Sequence, residues 1–146
     1  MEKLTAKLPI LILSGLVIFS AACVTMNTVK ESKGKGLSES YHVSLEKAKE
    51  ITRVFLKESG LKILEDQDNR ILARTASYDF SGLAILAPAL SKARIFAVAF
   101  FSEDASGSVV VEIVCKSEGP LNFRAQEECS KFPGQFFQNF RREIKN

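Results

Sequence analysis

Hydrophobic positions along the chain follow several distinct rhythms, and each rhythm predicts an element. From position 8 to 19 apolar residues run with few breaks, at Pro9, Ser14 and Gly15. From 24 to 40 no apolar period survives, and Ser, Thr, Asn, Lys and Gly prevail, with Lys33-Gly34-Lys35-Gly36 near the end. Such a stretch buries too little apolar surface to offset its ordering entropy, so it reads as a flexible tether. A helical period follows: Leu45, Ala48, Ile51, Phe55 and Leu56 fall on one face. Ser44 suits the N-cap, Val43 and Ala48 the hydrophobic staple, Glu46 the first turn and Gly60 the position just past the end.

The period then shortens. Residues 61–65 and 70–75 are strand-like and flank the polar run Asp66-Gln67-Asp68-Asn69, which predicts a hairpin. Residues 94–101 are almost wholly apolar, as in a central strand covered on both faces. After a turn at 103–107, residues 108–116 alternate, with Val109, Val111, Ile113 and Cys115 on one side and Glu112 and Lys116 on the other. The helical period returns at 133–144. Pro133 fits the first helical position, Phe136, Phe137, Phe140 and Ile144 form the apolar stripe, and basic residues complement the dipole of the last turns. A further turn or two of helix is open for 122–131.

This order of helix, hairpin, hairpin and helix predicts an α+β domain over residues 41–146. Its four-stranded antiparallel sheet carries the N- and C-terminal helices on one face. One segment stands out between the hairpins. Residues 81–90 are uncharged and include Pro88, which an interior strand position disfavours. They read either as a buried connection or as an exposed docking or lid segment, with Leu83, Ile85, Leu86 and Leu90 as its apolar contacts.

Composition narrows the function classes. A chain of 146 residues supports one domain with a single core beyond its leader. The net charge of +3 is modest, and no stretch clusters basic residues as nucleic-acid binding requires. The opening residues change the picture more. Lys3 and Lys7 precede the apolar run, which has about twelve residues where a spanning helix needs roughly twenty. Ser20-Ala21-Ala22 then lead into Cys23, completing the order of a secretory signal over 1–22. An ordinary signal-peptidase site at Ser20-x-Ala22 and an uncleaved anchor extended through Met26 are the alternatives.

The sequence Phe19-Ser20-Ala21-Ala22-Cys23 resembles the lipobox of bacterial lipoproteins, although Ser20 stands where that family usually carries leucine. The resemblance implies cleavage before Cys23, a diacylglycerol thioether on its sulfur and acylation of the new terminus, with 23–40 as the lipidated tether. Val24 rather than Asp after the cysteine resembles an outer-membrane sorting signal. A single chain binds a membrane only marginally, whereas three chains on one residue hold it effectively for good. With Cys23 set aside, Cys115 and Cys129 remain as a pair, which an oxidising envelope compartment would join as a disulfide. Two reduced, buried thiols are the alternative.

The remaining chemistry is sparse. A zinc site needs about four ligands, and the chain has one histidine, His42, and no CxxC spacing. Asp66-x-Asp68-Asn69 lacks the glycine and distal glutamate of a calcium loop. The chain has no GxSxG elbow, and the pairs Glu103-Asp104 and Glu127-Glu128 sit in solvated contexts. The expectation is a non-enzymatic envelope lipoprotein without cofactor, metal or nucleic acid, lipid-anchored in the outer membrane and facing the periplasm or cell surface. Its domain would contact another envelope protein. The alternative is a module that binds an apolar ligand such as a lipid, between the sheet and the Phe-rich final helix, with 82–90 as a lid.

Overall fold

The computed structural model describes residues 26–75, 78–79, 92–118 and 123–145. In chain order they form α1 (Met26–Lys30), β1 (Leu37–Tyr41), α2 (Leu45–Glu58), β2 (Leu61–Gln67), β3 (Arg70–Thr75), β4 (Tyr78–Asp79), β5 (Lys92–Glu103), β6 (Val109–Glu118) and α3 (Phe123–Lys145). Local signals account for most boundaries. The Ser44 side chain accepts the Lys47 N–H at 3.2 Å and starts α2. Gly60, at φ 76°, turns the chain out of that helix in a conformation L side chains resist.

The fold is α+β. Five strands pair antiparallel in the order β1-β6-β5-β3-β2, and the short β4 adds to the start of β5. The expected sheet of four strands is therefore one strand short. The missing strand is β1, Leu37-Ser38-Glu39-Ser40-Tyr41, in a stretch read as tether. It gave no strand signal because it is a mostly polar edge strand. Its place comes from pairing with β6, Leu37 opposite Ile113 through Tyr41 opposite Val109. The same stretch holds α1, whose Val29 is fully buried.

The two sheet faces are covered differently. On one, Ile71, Ala73, Ala97, Ala99, Val111 and Ile113 meet Ile51 and Phe55 of α2 and Phe136, Phe137 and Phe140 of α3. Alanines at the sheet centre leave room for these rings, a match of small against large. Rings interlock across the helices: Phe55 and Phe136 lie edge to face at 5.3 Å, and Tyr41 meets Phe140 at 4.6 Å. On the opposite face Leu72, Phe96, Val98, Phe100 and Val114 pack with Val29 and Met26 of α1. Residues of β5 alternate between the two clusters, which is why its stretch 95–101 is apolar throughout.

Helix α3 extends the expected C-terminal helix toward its N-terminus by a further ten residues, from Phe123 to Lys145, and takes Pro133 into its interior. Proline there removes one backbone bond and crowds the carbonyl four residues back. Tertiary contacts on both sides outweigh that cost, since Cys129, Phe132, Phe136 and Phe137 are all buried. Among the described residues no helix is long and apolar enough to cross a membrane.

Candidate functional site

Cys23, signal residues 1–22, and Leu83, Ile85, Leu86 and Leu90 lie outside the described residues. The other paired candidates do come together. Cys115 on β6 and Cys129 on α3 form a disulfide with their Cα atoms 5.4 Å apart and a sequence separation of 14. Ile95 and Ala125 pack around it, so the bond fastens the first part of α3 to the sheet. A shallow surface depression of about 350 Å³ adjoins it, lined by Cys115, Lys116, Ser117, Gln126, Cys129 and Ser130. A second, polar depression is lined by Glu127, Glu128, Lys131 and Gln135 along the exposed side of α3. Neither lies between the sheet and the phenylalanines, where aromatic rings fill the space.

The face carrying α1 is the most elaborately tied surface. Glu112 of β6 spreads its carboxylate over the following turn, accepting the Gly36 N–H at 2.7 Å and the Gly34 N–H at 2.9 Å. Gly36 is required by proximity, because a Cβ there would lie 2.4 Å from the Ile113 carbonyl oxygen. Lys116 donates to the Thr28 carbonyl at 3.2 Å, and Lys30 pairs with Glu65 of β2. The Lys30 ammonium, and behind it Arg70, holds the Glu65 carboxyl below the usual carboxylate range. Glu112 and Lys116 were legible as the polar side of β6, but their partners were not. Those partners lie in the low-complexity stretch before β1.

A polar cluster at the turn between β5 and β6 is the feature that sequence reasoning missed. Asp104 Oδ1 accepts the Ser106 N–H, the Ser106 hydroxyl and the Ser108 N–H at 2.5–3.0 Å, while Oδ2 accepts the Ser40 hydroxyl at 2.9 Å. These donors, the Ser106 hydroxyl foremost, lower the Asp104 pKa to about 2. Ser108 Oγ lies 2.7 Å from His42 Nδ1 and 2.9 Å from Ser106 Oγ. His42 arrives there because β1 pairs with β6 up to Val109. A serine beside a histidine is the start of a nucleophile, yet Ser108 is only 2 % exposed and Asp104 faces the serines rather than the imidazole. The cluster thus locks the turn to β1.

Two charged groups brace the helices. Asp66 of β2 receives Arg53 at 2.6 Å and the nearly buried Lys49 at 3.3 Å, and Arg53 also reaches Glu46 at 2.8 Å. Its bond to Arg53 keeps the Asp66 carboxyl below its ordinary range. Glu39 of β1 takes Arg141 of α3 at 2.9 Å and the Tyr41 hydroxyl at 2.6 Å. Burial first, and then the Glu39 carboxylate, push the Tyr41 phenol up. Among the described residues no three His, Cys, Asp or Glu side chains gather as a metal site. No protein-family model, curated protein or solved structure matches the chain.

Proposed function

We propose that this chain is a lipid-anchored protein of the bacterial envelope whose small domain acts by contact with another envelope component rather than by catalysis. The observation that carries the reading is the apolar run ending in Ser20-Ala21-Ala22-Cys23. The Cys115–Cys129 disulfide supports it independently, because such bonds persist in oxidising compartments. A carrier of apolar ligands needs a void, and aromatic packing between sheet and α3 favours the contact reading over that one.

Intact-mass measurement of the protein extracted from membranes tests the anchor. The expected species begins at Cys23 and carries acyl mass, and Cys23→Ala should leave the membrane fraction or accumulate unprocessed. A mature Cys23 terminus without added acyl mass overturns the anchor and leaves a secreted domain. Crosslinking in the intact envelope tests the contact role, and failure to trap any protein there counts against it.

A further inference from the structure

We infer that the domain lies flush on an anionic phospholipid surface through the α1 face, which fixes its orientation and turns α2 and α3 away from the bilayer. The inference rests on acylation at Cys23. Only Val24 and Thr25 separate that residue from Met26, the first residue of α1. Three Cα-to-Cα steps, at about 3.5 Å each, reach roughly 10 Å. That is about one Debye length at physiological salt, so the charges of the α1 face would sit within range of the headgroups.

Those charges have the right sign. In the segment from Met26 to Gly36, Lys30 is matched by Glu65 of β2, which leaves Lys33 and Lys35 against one acid, Glu31. Lys33 and Lys35 are exposed, and among the described residues neither has a carboxylate partner. Glu112 adds a second carboxylate at the turn, where it accepts the Gly34 and Gly36 N–H groups, and the Lys116 ammonium on the same face offsets its charge. A short basic segment beside a lipid anchor is drawn to anionic headgroups, and with the acyl chains holding the protein that attraction sets its orientation.

The segment also cannot act as a swivel. Val29 and Ser32 are fully buried, Lys30 is paired with Glu65, and Lys116 holds the Thr28 carbonyl. Membrane contact at α1 is thereby transmitted to the whole sheet. Because α2 and α3 pack on the opposite face, their outer surfaces, with Val54 48 % exposed, become the side offered to a partner.

The test uses the full lipidated protein in vesicles containing phosphatidylglycerol, with a fluorophore on Asn27→Cys in α1 or on Val54→Cys in α2. Lipid-borne quenchers should quench the α1 probe several-fold more than the α2 probe. Lys33→Glu with Lys35→Glu, or vesicles of phosphatidylcholine alone, should erase most of that difference while the protein stays bound. Inserting about ten Gly/Ser residues between Thr25 and Met26 should weaken the difference by lengthening the reach. Acylated protein with equal quenching at both sites overturns the orientation alone. Protein lacking acyl mass overturns the anchor and the orientation together.

Discussion

Asp104 shows how much a single exposed carboxylate can organise when every oxygen has donors. Its pKa is lowered from 3.8 to about 2, so the folded state binds its proton less readily than the unfolded chain does. The stability this contributes is complete above 3.8 and is lost as pH falls toward about 2. Asp66 and Glu65, also lowered by their cationic partners, add to the same acid-side loss. Urea midpoints measured down through this range should fall, and Asp104→Asn should flatten part of that slope. A slope unchanged in the variant would refute the role assigned to the cluster. Gly36 makes the complementary case, in which a missing atom matters. A Cβ there would meet the Ile113 carbonyl oxygen at 2.4 Å and Val114 Cγ2 at 2.7 Å, and the backbone partner cannot rotate away. Gly36→Ala should therefore cost about 1–3 kcal/mol in denaturant unfolding, with amide exchange speeding first in residues 26–36.

At the scale of elements, the disulfide and α3 depend on each other. The bond joins β6 to the helix one turn before Pro133, where α3 lacks a backbone bond. Replacing Cys115 and Cys129 together with serine should cost about 3 kcal/mol, the loop-entropy value for a closure of this length. Residues 123–131 should also fray, as hydrogen exchange would report. A double variant as stable as the parent would show that phenylalanine packing alone holds the helix. That loss of helical content is expected to stop at Phe132, because Phe132 and Phe136 both pack on Phe55 of α2.

For the molecule as a whole, the larger of the two cores lies on the helix side of the sheet and the smaller one on the α1 side. Phe136 is fully buried and meets Phe55 and Phe137 edge to face. Phe136→Ala should cost about 3–5 kcal/mol, a large share of the total stability of a domain this size. Chemical denaturation should register this as a lower midpoint with little change in slope. A loss under about 1 kcal/mol would mean that α2 and α3 collapse into the space, contrary to the interlocked rings.

The sequence alone determined the nature of those elements whose code is local. Ser44 and Gly60 bound α2, the alternation after Ser108 marks β6, the unbroken apolar run marks β5 as central, and Cys115 with Cys129 stands as a candidate pair. Each signal lies within a few residues or in a simple period, so it survives without knowledge of the fold. Tertiary structure decided what the polar residues do. Leu37 to Tyr41 has no strand pattern of its own and becomes β1 only because β6 offers it an edge. Residues 26–36 order because Glu112, Lys116 and Glu65 reach them from far along the chain. His42 meets Ser108 only through that added strand. Hydrogen bonds and ion pairs between distant segments leave no periodic trace, and here they convert an expected tether into a packed face of the domain.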